Sequence, residues 1–230
     1  MLKDIFLRMR MEGLFWVGVF FFCLLVIRLC HVFYLKLTDF KKCKNKKKED
    51  AEENSVDIGK RGETEVFQAL LQTHSAHKKI INDIVIKTAD GKMSQIDHIL
   101  INESGIFVIE TKNYKGAIYG SDGGLHWYQY LNGKKFKFYN PVKQNAAHMK
   151  RLAKILGDIY PYYSIIVFVK DNTKKINIDN VINLSDLVRY IDAHQHKNLS
   201  REDIRLVYKR LQKMKKKNYK HTFWDEREAA

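Results

Sequence analysis

Cysteine is nearly missing from this 230-residue chain, and the three present, Cys23, Cys30 and Cys43, all lie near its start. Everything after Cys43 therefore lacks both a disulfide framework and a cysteine-based metal site. Proline is scarcer still, with two residues, and no low-complexity tract or internal repeat interrupts the sequence. That argues against long disordered linkers and against a repeat architecture. Acidic residues fall short of basic ones, 26 against 41, for a net charge of +15. A basic surface suits a polyanionic partner, but solvated faces and membrane-facing patches are basic too, so charge alone assigns none. With 45% hydrophobic residues, the chain has room for one medium domain with a full core, plus appendages.

Charge is also missing from a long run near the start. "GLFWVGVFFFCLLVI", Gly13 to Ile27, has none, and after Arg28 the apolar character resumes in "LCHVFYL". Gly13 to Leu35 is thus long enough to cross a bilayer as a helix, with Arg28 and His31 snorkelling and Trp16 and Tyr34 near the edges. A cleavable signal peptide begins similarly, but the run is long and no small-residue cleavage site follows it. Lys36, Lys41, Lys42, Lys44, Lys46, Lys47 and Lys48 on the far flank outnumber Lys3, Arg8 and Arg10 on the near one. The positive-inside rule then predicts a single-pass membrane protein with its N-terminus outside and its C-terminal domain cytoplasmic. The expected organisation is a tail and span over 1–35, a basic and polar linker over 36–57, a domain core over 58–157, and 158–230 completing or extending the domain.

Past the linker, "IGKRGETEVFQALLQTH" reads as a helix, with Val66, Leu70, Phe67 and Leu71 toward one face. "KKIINDIVIKT", "KMSQIDHILIN" and "GIFVIETK", separated by "ADG" and "NESG", predict a three-stranded meander. The glycine-punctuated, aromatic stretch Gly116–Pro141 fits either short strands or a long loop. "NPVKQNAAHMKRLAKILG" predicts a helix capped by Asn140, opened by Pro141 and stopped at Gly157. "YSIIVFVK" reads as a buried strand, "LSDLVRYIDAH" as a helix, and "SREDIRLVYKRLQKMKKK" as a terminal helix with Ile204, Val207, Leu211 and Met214 on one face.

Chemistry concentrates in "QIDHILINESGIFVIETKNYKG", which sets Asp97 within one apolar run and Glu110-Thr111-Lys112 at the exit of the next. If the two acids sit across neighbouring strands, their carboxylates converge, and Lys112, two residues beyond Glu110, shares that face. Carboxylates brought together repel unless a cation joins them, and hard oxygen ligands with open water positions suit Mg²⁺ or Mn²⁺. A lysine beside such an ion can orient or help deprotonate a water and neutralise charge on a phosphodiester. From the spacing alone, an ordinary end-of-strand pair of Glu110 with Lys112, and an Asp97 capping a turn, fit equally well.

The wider set of motifs carries a resemblance. "GKRGETEV", "QIDHILI", "GIFVIETKNYKGAIYG", Trp127 and "NPVKQNAAHMKRL" follow the order of the nuclease-related domain (NERD) family, over roughly Ile58 to Leu156. The resemblance implies an α/β, PD-(D/E)XK restriction-endonuclease-like core, a mixed sheet flanked by helices, and hydrolysis of nucleic acid, most readily DNA. It also implies Asp97 and Glu110 as metal ligands with Mg²⁺ or Mn²⁺ as cofactor, Lys112 as the catalytic lysine, Glu63 as a supporting acid at the metal, and Gln144 as a residue orienting substrate or Lys112. The chain departs from the wider fold in having no proline-aspartate pair, its first acid lying in "QIDH". His98, next to Asp97, belongs on the opposite face as a packing residue. Two rival readings are a non-catalytic nucleic-acid-binding or sensing module on the same fold, and a membrane scaffold using its basic terminal helix.

Overall fold

The computed structural model describes residues 28, 34, 56–87, 91 and 93–228, with side chains to Lys215 in the last helix. Apart from Arg28 and Tyr34, the span expected over 13–35 lies outside the described residues, as does nearly all of the 36–57 linker; among the described residues no helix is long and apolar enough to cross a membrane. Asp57–Ala230 forms one compact unit.

That unit runs through helix α1 (56–71), strands β1 (Lys79–Lys87), β2 (Met93–Asn102) and β3 (Gly105–Lys112), then β4 (Ala117–Tyr119), β5 (His126–Leu131) and β6 (Lys134–Tyr139). Helix α2 (Pro141–Leu156), strands β7 (Tyr162–Phe168) and β8 (Val181–Asn183), helix α3 (Leu187–Asp192) and helix α4 (Arg201–Glu228) complete it. The main sheet has the order β1-β2-β3-β7-β8, antiparallel through β3 and parallel from β3 to β8. This is the mixed sheet between helices that the resemblance implies.

Helices cover both faces of the sheet, which is why its central strands are apolar throughout rather than alternating. Ile99, Ile101, Ile106 and Val108 pack with Leu152 and Leu156 of α2 and with Ile204, Val207 and Leu211 of α4. Leu100, Phe107, Ile109, Ile165 and Val167 pack on the other side with Val66 and Leu70 of α1 and Leu187 and Ile191 of α3. Each such side chain contributes about 1.5–3 kcal/mol through burial. The buried stripe of α1 is narrower than its sequence suggests, since Leu71 is 47% exposed.

Helix ends follow the residues expected to set them. Asn140 accepts Val142 N–H at 2.9 Å, Pro141 opens α2, and Gly157 ends it with φ of 106°. Ser200 and Asp203 form a reciprocal capping box at the start of α4, the Ser200 hydroxyl accepting Asp203 N–H at 3.1 Å and Asp203 accepting Ser200 N–H at 3.0 Å. The segment expected as one helix from Leu184 is a 3₁₀ turn, Leu184–Asp186, followed by the short α3. Strand β8, three residues long, carries too few residues to show a pattern in the sequence.

The aromatic stretch resolves into short strands, a second sheet ordered β4-β5-β6. Asn132 and Gly133, with φ of 50° and 72°, make the two-residue turn between β5 and β6. Ile118 and Trp127 fix this sheet to the main one by packing with Ile166, Phe168 and Val181. Trp127 lies flat against Phe168, with centroids 6.3 Å apart, and its Nε1 donates to Ser121 O at 3.0 Å. A Cβ on Gly120 would come within 2.1 Å of the Trp127 ring, so a larger residue there would displace the tryptophan.

Candidate active site

Cα pairing between β2 and β3 runs as far as His98 with Ile109. One further step of that register sets Asp97 opposite Glu110, and there a side chain takes over from the ladder: Asp97 Oδ2 accepts Thr111 N–H at 2.8 Å. Glu110 and Lys112 share a strand face by their spacing of two. Lys112 Nζ donates to Glu110 Oε1 at 2.6 Å and to Gln144 Oε1 on α2 at 3.3 Å. Asp97, Glu110, Lys112 and Gln144 are thus brought together.

Helix α2 adds more than Gln144. His148 and Arg151, four and seven positions on, fall on the same helical face. His148 Nε2 stands 3.5 Å from Glu110 Oε2, its Nδ1 stands 3.3 Å from Ser94 Oγ, and Arg151 donates to the same hydroxyl at 3.0 Å. Asn145, fully buried, pins the helix to the sheet by donating to Val108 O, Ser164 Oγ and Ile165 O at 2.7, 2.9 and 3.3 Å.

Glu63 arrives from α1. A Cβ on Gly62 would meet Asn113 Cβ at 2.7 Å, so glycine lets the helix lie close to the exit of β3. Asn113 Nδ2 donates to Ile58 O at 2.7 Å across the same contact. Glu63, half-buried, then joins Asp97, Gln144, His148, Arg151, Ser94 and Tyr139 in lining a cleft of about 530 Å³.

The charges in this cleft are unevenly held. Burial, and then the Glu110 charge, push the Asp97 carboxyl up to about 7, although Thr111 N–H works the other way. Burial also opposes charge on Glu110, but His148 and Lys112 outweigh it and hold that carboxyl below its ordinary range. The closer of the two partners is Lys112, since 3.5 Å is too long for a made hydrogen bond from His148. Lys112 in turn is held above the ordinary lysine range by Glu110 against the effect of burial, so it is an ammonium and a donor rather than a base. Glu63 is raised by burial and by the charges of Asp83 and Glu110. His98 is buried on the other side of β2, bonded through Nδ1 to Asn82 Oδ1 at 2.9 Å, and burial lowers it to about 4.

Among the described residues, no three His, Cys, Asp or Glu side chains form a group that could hold a metal ion by themselves. Mg²⁺ does not require one, because it is bound through one or two carboxylates and keeps several waters. Two features fit such an ion. Glu110 Oε2 is buried with no hydrogen-bond partner, and Asp97 lies beside it with a carboxyl whose charge is disfavoured.

His148, Ser94, Arg151 and Tyr139 escaped the sequence reading. The signal for the two α2 residues was the helical spacing of polar residues from Gln144; Ser94 and Tyr139 lie on strands whose pairing no local pattern discloses. Asp83 was also missed. It stands opposite Asp97 where the β1–β2 pairing skips one position, it has φ of 53°, and its charge bears on Glu63.

A family model described as the nuclease-related domain matches residues 58–169. An uncharacterized protein of Bacillus anthracis is 33% identical over 155 residues, which cover 65% of this chain and 73% of that relative. No solved structure matches the chain.

Proposed function

The chain belongs to the nuclease-related domain family, and on that premise we propose that it is a metal-dependent nuclease that hydrolyses phosphodiester bonds, with DNA as substrate. The observation that carries this reading is the half-buried Asp97, which lines the cleft, beside the buried Glu110, with the Lys112 ammonium 2.6 Å from Glu110. Asp97 and Glu110 would hold Mg²⁺ or Mn²⁺, and Glu63 would reach it directly or through water. When bound, the ion would activate a water and polarise the phosphoryl oxygens.

The protein's own groups then have separate roles. Lys112, a charged donor, meets negative charge developing on the phosphate. Gln144 Oε1 keeps the Lys112 amine from swinging wholly onto Glu110. His148 and Arg151 put further donors along the cleft wall. The test is a nuclease assay of the full-length chain in detergent on single-stranded DNA, duplex DNA and RNA. Cleavage with Mg²⁺ and none with EDTA is expected, and inertness on all three with Mg²⁺ or Mn²⁺ would leave the non-catalytic binding module as the reading.

The apolar run 13–35, broken by Arg28, and the lysines after it support a single-pass anchor in the lipid bilayer that holds the domain on the cytoplasmic side.

A further inference from the structure

The small sheet packs one face inward and leaves the other open. Ile118, Trp127 and Phe138 point into the protein. On the opposite face the register sets Tyr119 against Tyr128, Tyr128 against Lys137, Tyr130 against Lys135, and His126 against Tyr139. Cross-strand partners share a face, so these tyrosines and lysines form one continuous patch. Tyr130 and Tyr139 are 42% and 47% exposed.

Lysines stand over the rings. Lys135 Nζ is 4.0 Å from the Tyr128 centroid and 5.6 Å from that of Tyr130, while Lys175 reaches in from after β7, 4.8 Å from the Tyr119 centroid. None of β4, β5 and β6 contains an aspartate or a glutamate. A face of tyrosines interleaved with flexible cations, and without a competing acid, is complementary to unpaired bases and their phosphates. The same face also leads to the cleft: Tyr139, at the end of β6, sets its ring edge-on to His126 at 6.4 Å and lines the cleft with Asp97 and Gln144.

We propose that this face is a stacking platform for a single DNA strand, along which the substrate is led into the cleft. Bases of an intact duplex stay stacked on one another and cannot reach the rings, whereas each base of an unpaired strand offers a π-face to a tyrosine. The lysines now lying over the rings turn to the phosphates when bases take their place. This proposal rests on the nuclease reading of the cleft and narrows its substrate to single-stranded or locally unpaired DNA.

The experiment is equilibrium binding of the full-length chain to a labelled oligothymidine and to a blunt duplex of equal length, by fluorescence anisotropy in EDTA. Wild type should prefer the oligothymidine. Tyr128→Ala/Tyr130→Ala should weaken that binding by about tenfold or more, the effect of losing one or two stacking rings, and leave duplex binding nearly unchanged. Tyr128→Phe/Tyr130→Phe, which keeps both rings, should retain the preference. Tyr130→Ala alone, at an exposed position, should show part of the loss without endangering the fold.

Equal wild-type affinity for strand and duplex, or an unchanged oligothymidine affinity in the double alanine variant, overturns the platform. So does a shift from dimer to monomer in the double variant with DNA binding intact, which would make the face a contact between copies. Because binding is read without metal, the two readings fail separately. A platform that binds while Mg²⁺ elicits no cutting sinks the nuclease reading alone, and cutting without a tyrosine effect sinks the platform alone.

Discussion

Asp97 is held in a state that depends on pH. Its carboxyl is raised to about 7, by burial first and by Glu110 second. A raised carboxyl favours the fold while protonated, so its contribution is complete below about pH 4, where the unfolded chain also binds the proton, and is lost as pH rises through about 7. Glu63 is shifted the same way, and Glu110, lowered, acts oppositely at acid pH. In EDTA the melting temperature should therefore fall between pH 5 and pH 8, and Asp97→Asn should flatten that fall. Mg²⁺ should reverse it, raising Tm more at pH 8 than at pH 5 because ion and proton compete for the same oxygens. A metal response in Asp97→Asn equal to wild type would remove Asp97 from the ion's site. Differential scanning fluorimetry across pH reads both effects.

Elements matter through what they hold against the cleft. Helix α1 delivers Glu63 where Gly62 clears Asn113, so Gly62→Ala should both destabilise and misplace: about 1–3 kcal/mol from overpacking, roughly 2–12 °C in Tm, with a loss of cleavage beyond what stability explains. Asn145→Ala should cost a comparable amount, since it strips buried carbonyls of β3 and β7 of their donor, and it should loosen Gln144 one residue before it. If thermal melts and cleavage of Gly62→Ala match wild type, the close approach is not what places Glu63.

The meander, α2 with its caps, and the face of α4 were legible because each is a local signal: alternating or fully apolar runs between turns, Asn-Pro and Gly at a helix's ends, a 3.6-residue stripe. Asp97, Glu110 and Lys112 were legible as a pattern, but their convergence depends on the β2–β3 register, and spacing alone left a surface pair equally open. The small sheet was only half legible, since three-residue strands among glycines do not separate from a loop by periodicity. Asp83, whose charge bears on Glu63, and Ser94, which lines the cleft, were not legible at all, because strand pairing across a turn brings them there.

For the whole molecule, charge and the proposed attachment would set where the domain meets nucleic acid. The lysines following the apolar run predict that protease added outside sealed cells or right-side-out vesicles leaves the domain intact and degrades it only after permeabilisation. Digestion from the outer face would reverse the orientation. The net charge of +15 predicts that DNA binding weakens steeply with salt in wild type and in Asp97, Glu110 and Lys112 variants alike, because phosphate neutralisation is separate from the chemistry of the cleft. The central claim, that Asp97 and Glu110 hold an ion while Lys112 meets charge on the phosphate, is tested most directly by single-turnover cleavage of labelled DNA with metal binding measured in parallel. The expected result is that Asp97→Ala and Glu110→Ala lose both metal and cleavage, while Lys112→Ala binds metal and DNA like wild type and cuts about 10²–10³ times more slowly. Normal cutting by Lys112→Ala, or cutting by either carboxylate variant, would contradict it.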